Sequence, residues 1–255
     1  MENLRLYVFL RAKRSMHKVI VYHTISAPDV PLPANIDVSP ERFETHLKWL
    51  AKRPNRVAPI KNLLKVPAAK NLISITFDDG YKDNLTIALP LLEKYNLPAT
   101  IFVTAGFINQ NGYLTGDDLK ILATHPLITI GSHGLWHRHL TKLPHSEARH
   151  ELTASKKILE ETTNQTVDLL AYPYGDCNSA IEKLSEECGY SAAWSVWNGE
   201  NTAYSLWRVP LGRNDNLLRF IAKVSPVYFP VKKIVKPPMI ETQSVIEKTE
   251  ALGST

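Results

Sequence analysis

Short apolar runs recur along this chain, separated by longer stretches in which apolar residues return every third or fourth position. The runs are Val19–Tyr22, Leu72–Phe77, Ala99–Val103, Leu127–Ile130, Leu169–Tyr172, Ala192–Val196 and Trp207–Val209. They favour β-branched and bulky residues, which suit a pleated, packed surface, so they read as buried strands. The stretches between them read as helices. Ser39-Pro40-Glu41 opens one, with Ser39 as N-cap and Pro40 at the first helical position, and Phe43, Leu47 and Leu50 form its apolar stripe. A short helix is expected near Ile60–Leu64. Asn84–Tyr95 turns Leu85, Ala88, Leu89 and Leu92 inward, with Pro90 placed to kink it. Thr115 and Asp118 resemble a capping arrangement before Leu119–Leu122. Ser146–Thr162 is a long charged helix, and Ser179–Cys188 stops at Gly189. Residues 27–35, with Pro28, Pro31 and Pro33, read as a loop, and 52–59 as a linker. Strand and helix alternating in this way predict a parallel α/β layer structure.

Two of the strands run directly into residues that carry chemistry. Leu72–Phe77 ends in Asp78-Asp79-Gly80, where Gly80 suits the turn that stops the strand. Adjacent carboxylates resist joint ionisation unless a cation or a proton sits between them. The second strand feeds Gly131-Ser132-His133-Gly134-Leu135-Trp136-His137. On a helical turn, His133 and His137 would share one face and reach one metal ion. Gly134 follows His133, so the His-Glu-x-x-His pattern of zinc proteases is absent, and a base must come from elsewhere. Asp79 is the natural third ligand and Asp78 the neighbouring base. Alone, an Asp-Asp-Gly is commonly a solvated turn, and paired histidines are commonly surface residues. Together, each after an apolar strand, they point to the C-terminal rim of a parallel sheet, where active sites collect. Imidazole and carboxylate donors suit zinc, with cobalt, nickel, manganese and iron(II) as alternatives, better than magnesium or calcium.

With these residues in view, the chain resembles the polysaccharide deacetylases of the NodB-homology type, carbohydrate esterase family 4. The matching pieces are Thr76–Gly80, Gly131–His137 and Ala171-Tyr172-Pro173-Tyr174-Gly175, in that order, within a resemblance over residues 19–215. The resemblance implies a distorted (β/α)7 barrel that removes acetyl groups from carbohydrates with a divalent metal. It implies Asp78 as general base, Asp79, His133 and His137 as metal ligands, and the Tyr174 backbone N–H as donor to the oxyanion. Tyr172 and Pro173 would border the substrate. Two departures stand out. Many members carry a C-terminal Leu-x-His whose histidine protonates the leaving amine, but the last histidine here is His150. The strand Val19–Tyr22 instead ends at His23, as in the branch with circularly permuted motif order, so His23 is the candidate general acid. The arginine usual before the Pro-x-Gly turn is also missing, Ala171 standing near its place, and Arg208 is the candidate to replace its contact with the base.

Bulk properties narrow the setting. A chain of 255 residues accommodates one barrel, expected over 19–235, flanked by a basic and apolar segment 1–18 and a loosely ordered tail 236–255. The net charge of +5 is scattered and no nucleic-acid motif is present. Cys177 and Cys188 suit free thiols in a reducing compartment. Neither a secretory signal nor a long apolar span is read, which points to a cytoplasmic protein. Leu4, Tyr7 and Val8 beside Arg11–Arg14 offer an amphipathic stripe for peripheral membrane contact, or for docking on the barrel itself. The Trp and Tyr residues near the motif strands, Trp136, Trp194, Trp197 and Trp207 among them, suit a saccharide groove or core packing. The function expected is removal of an N-acetyl group from an amino sugar during surface polysaccharide assembly. A deformylase or other amidase, or an inactive saccharide-binding barrel, are the alternatives. Sequence leaves the oligomeric state open.

Overall fold

Strands buried on both faces need cover on both sides, and a parallel sheet closed on itself and wrapped by helices provides it. The computed structural model describes residues 17–25, 35–65, 71–196, 202–225 and Tyr228. Its strands are β1 (Lys18–Tyr22), β2 (Ile73–Phe77), β3 (Ala99–Val103), β4 (Ile128–Ser132), β5 (Leu169–Ala171), β6 (Ala192–Ser195) and β7 (Leu206–Pro210). All pair in parallel in chain order, and β7 returns to β1, where Val19 faces Arg208, to close the barrel. The helices are α1 (Pro40–Ala51), α2 (Ile60–Leu63), α3 (Leu89–Tyr95), α4 (Gly116–Thr124), α5 (His145–Thr163), α6 (Ser179–Glu187) and α7 (Leu217–Val224). The expected (β/α)7 barrel is therefore the fold. Its distortion shows between β4 and β5, which share one register pair, Ser132 with Leu170. No helix among the described residues is long and apolar enough to cross a membrane. Residues 1–16, the proline-rich 26–34, Trp197 and the tail from 236 lie outside the described residues.

Local signals mostly decide the helix ends. Ser39 accepts from Arg42 N–H at the start of α1, and Thr115 and Asp118 form the full capping box of α4. Two elements differ from expectation. Asn84–Tyr95 is not one kinked helix: a π-helical turn, Asn84–Ala88, precedes α3. Pro90 lacks an N–H and its ring crowds the carbonyl one turn back, and a wider turn before it relieves both problems. Helix α7 was not foreseen, although Asn216 caps it and Phe220 and Val224 are buried in α-helical register.

α7 packs through an aromatic contact with consequences for pH. The fully buried His46 of α1 stacks on Phe220 at 4.2 Å. Its Nε2 lies 2.9 Å from the Asp215 carbonyl, which only accepts, so Nδ1 receives the Tyr22 hydroxyl at 3.0 Å. Burial holds this imidazole down to about 4. The unfolded chain takes up that proton near pH 6.5 and the folded chain does not, so stability present above pH 6.5 is lost as pH falls towards 4, by about 3 kcal/mol. Urea unfolding at several pH values should show wild type losing more stability over this window than His46→Gln. Parallel losses would assign the acid sensitivity to other groups.

Candidate active site

A closed parallel barrel gathers the C-terminal ends of its strands on one rim. Asp78 and Asp79 follow β2, His133 follows β4, the turn Pro173–Gly175 follows β5, His23 follows β1, and Arg208 lies in β7. Two adjacent buried carboxylates are the central electrostatic problem, and each is treated differently.

Asp78 is paired. Arg208 is fully buried, and its Nη1 and Nη2 donate to Oδ1 and Oδ2 at 2.6 and 2.7 Å. Strand β1 lies between them and bonds to both β2 and β7, so barrel closure itself creates the pair. Burial pushes the Asp78 carboxyl up, but the guanidinium of Arg208, with His133 and His23, brings it down to about 2. Asp78 is thus a carboxylate across the neutral range. The Arg208 guanidinium also sits over the Phe102 ring at 5.4 Å.

Asp79 has no such partner among the described residues. Burial raises its pKa; His23 and His133 oppose that rise, and the Asp78 charge adds to it. Its Oδ1 is buried without a hydrogen-bond partner among the described residues. That atom stands 3.5 Å from His133 Nε2 and 3.3 Å from His137 Nε2. Burial lowers both imidazoles to about 4, so both rings are neutral and carry a lone pair. His133 Nδ1 donates to the Ala171 carbonyl at 2.8 Å, which leaves Nε2 as the ligating nitrogen. Donor atoms about 2.1 Å from a tetrahedral ion stand about 3.4 Å from one another. An orphaned carboxylate oxygen and two neutral imidazoles at that spacing fit a divalent cation.

The expected helical turn for the two histidines is a correction. Residues 133–139 contain no helix, and Gly134 (φ 77°) and His137 (φ 55°) take left-handed backbone. Their rings still approach, with centroids 5.0 Å apart. Glu151 of α5 explains the conformation. Only 2% exposed, it accepts from the Leu135 and Trp136 N–H groups, both at 2.9 Å, and draws the loop onto α5. Sequence reading missed Glu151, although a glutamate in register with the buried Ala148, Leu152 and Leu159 was a signal that it must find an internal partner.

Around this cluster the other expected residues divide. Tyr174 takes a left-handed φ of 59°, its ring edge-on to His137 at 4.5 Å and stacked on His139 at 3.8 Å. Gly175 follows with φ 66°, and a Cβ there would meet Val196 N at 2.5 Å, so the turn depends on glycine. Pro173 is buried against Gly134, beneath the histidine loop. His23 is close enough for its charge to act on Asp78, Asp79 and His137, and its buried Nδ1 has no hydrogen-bond partner among the described residues. Tyr172 is a second correction. Expected to border substrate, its side chain is instead fully buried, and its hydroxyl meets Ser185 Oγ at 3.1 Å and the Tyr204 carbonyl at 2.8 Å. Trp194 packs in the core beside Phe102, whereas Trp136 is 53% exposed and rests on Gly106 next to His137.

The polysaccharide deacetylase family model matches residues 65–193. The Bacillus subtilis protein YxkH, named as a polysaccharide deacetylase, is 32% identical over 201 residues, spanning 75% of this chain and 70% of YxkH. The poly-β-1,6-N-acetyl-D-glucosamine N-deacetylase of Staphylococcus aureus is 27% identical over 199 residues, spanning 69% of this chain and 68% of that protein. Among solved structures, the Streptococcus pyogenes deacetylase PplD in complex with acetate aligns with a TM-score of 0.73 at 23% identity, over 82% of this chain and 98% of that one.

The buried pair makes a direct prediction. Arg208→Leu strands the Asp78 charge and should lower unfolding stability by roughly 3–5 kcal/mol. The double variant Asp78→Asn/Arg208→Leu should regain part of that loss in chemical denaturation. An Arg208→Leu protein as stable as wild type would contradict the pairing.

Proposed function

Because the chain belongs to the polysaccharide deacetylase family, we propose that it hydrolyses the N-acetyl amide of an amino sugar, in a polysaccharide or a lipid- or nucleotide-linked precursor. One observation carries this reading: Asp79, His133 and His137 converge beside a carboxylate, Asp78, that Arg208 keeps ionised. The substrate in the name of the Staphylococcus aureus relative supports N-acetylglucosamine as the sugar unit.

Asp79 Oδ1, His133 Nε2 and His137 Nε2 would hold a divalent ion, zinc foremost for this donor set. When bound, such an ion supplies a Lewis acid that makes water more acidic and polarises the acetyl carbonyl. Asp78 accepts the proton of the attacking water, and its Oδ2, 3.7 Å from His133 Nε2, borders the same space. Arg208 fixes the plane of that carboxylate and keeps it deprotonated between turnovers. The Tyr174 N–H donates to the carbonyl oxygen as negative charge grows there, a contact of about 3 kcal/mol in sites of this kind. His23 delivers a proton to the departing nitrogen, since an amine anion is too poor a leaving group for the C–N bond to break without one. The missing C-terminal histidine and the arginine missing before the Pro-x-Gly turn are what would favour the inactive-barrel alternative. The Arg208 contact with Asp78 supplies that interaction from β7 and favours an active enzyme.

The test is acetate release from N-acetylglucosamine oligosaccharides alongside elemental analysis. Asp78→Asn, assayed on the folded fraction, should lose roughly 100- to 10,000-fold in turnover while metal content stays at the wild-type stoichiometry. Asp79→Asn should lose both. Undiminished acetate release by Asp78→Asn would remove the base from this scheme.

A further inference from the structure

Strands β1 and β2 stop at different heights. Tyr22 faces Phe77 at the last rung of their ladder, and the Asp78 N–H still reaches the Tyr22 carbonyl at 3.0 Å. Beyond that point β2 is gone, because Asp79 and Gly80 turn away with φ of 70° and 83°. His23, Thr24 and Ile25 therefore run on past the neighbour that would have bonded them. Buried backbone groups need partners: the Thr24 carbonyl receives the Val38 N–H at 3.0 Å, and on the side that β2 has left, side chains supply them. Asn84 Nδ2 donates to the His23 carbonyl at 2.9 Å. Asp83 Oδ2 accepts from Ile25 N–H at 3.2 Å and from the Thr24 hydroxyl. Asn84 Nδ2 also donates to Asp83 Oδ1 at 2.9 Å, which ties the two side chains together. Both residues are buried, and Asn84 opens the π-helical turn before α3.

We infer that Asp83 and Asn84 are positioning residues for His23, extending the β1–β2 ladder with side chains so that the ring is held at a fixed height above Asp78 and Asp79. The inference rests on the proposed role of His23 as proton donor. Nδ1 of that ring has no hydrogen-bond partner among the described residues, so its position is set through its backbone rather than through that nitrogen. Donor, acceptor and turn come from the same short segment as the base and the first metal ligand. One stretch, 78–84, thus fixes the geometry of base, ligand and acid together.

Leaving groups separate this role from a general structural one. An amine needs a proton to depart, whereas the phenolate of an aryl acetate does not. The measured quantity is the ratio of kcat/KM for an N-acetylglucosamine oligosaccharide to that for para-nitrophenyl acetate. His23→Ala sets the reference and should lower the ratio by roughly 100-fold or more. Asn84→Ala should lower it by roughly 10- to 100-fold, the scale of a misplaced catalytic group, and raise amide hydrogen exchange at Ile25. The near-isosteric Thr24→Val should shift both readouts in the same direction, more weakly, and carries the test if Asn84→Ala folds poorly. If His23→Ala lowers both substrates equally, His23 is not the donor and the inference falls with that reading. If His23→Ala shifts the ratio but Asn84→Ala and Thr24→Val leave it at the wild-type value, the inference alone falls.

Discussion

Two carboxylates side by side at the end of a buried strand cannot both be charged without compensation, and the site is organised around how each is compensated. Asp78 is held by a bidentate guanidinium that is itself fully buried. Asp79 has no such guanidinium among the described residues, and two neutral imidazoles point at the same oxygen. Removing charge from water is expensive, several kcal/mol per ion even after relaxation, so an arrangement that leaves one carboxylate oxygen buried and unpartnered is stable only with something to receive it. Neighbouring residues with the same chemistry are thereby driven apart in pKa, one below its ordinary value and one above. That difference suits them to different tasks, proton acceptance and cation binding.

Barrel closure is what makes the compensation available. Arg208 and Asp78 are 130 positions apart in the chain, and they meet because β7 returns to β1 and β1 also pairs with β2. Within the barrel, residues from β1, β3, β5 and β6 share one cluster with Ile60 and Leu63 of α2. The apolar packing below the rim keeps water from solvating the pair from beneath, so its strength depends on the whole interior and not on local sequence.

Much of this was legible in advance, and the misses have physical causes. The strands were readable because burial on both faces leaves short runs dominated by apolar and β-branched residues. The two motifs were readable because each sits at a strand end, where side-chain chemistry is concentrated. Arg208 was readable only as a candidate, since its partner is set by topology. Tyr172 was misread although strand parity contained the answer. Leu169 and Ala171 face the interior cluster, while Leu170 and Tyr172 pack together among Leu152, Ile181 and Leu184 of the outer helices. The histidine loop was misread because spacing of i, i+4 specifies a shared face only if the backbone is helical. Gly134 frees it from that, and a buried Glu151, remote in sequence, decides where it goes. The π turn at Asn84 left no sequence signal beyond Pro90.

Backbone strain ties these threads together. Asp79, His137 and Tyr174 all hold left-handed φ values of 70°, 55° and 59° although none is glycine. Such residues persist where surroundings over-determine them, and each has its constraint. The Asp79 carbonyl receives Thr104 N–H at 3.3 Å, Glu151 grips the loop leading to His137, and the Tyr174 ring is stacked on His139. A relaxed backbone at any of the three would turn the ligand or the N–H away from the shared space. The barrel supplies the rigidity, the anchors supply the direction, and the strained residues are where that energy is stored. Helix geometry would have been cheaper for His133 and His137, but it would have fixed their spacing to each other and not to a carboxylate on a strand two places away. An irregular loop held from outside lets three ligands from two strand ends be adjusted independently, which a single helix face cannot do.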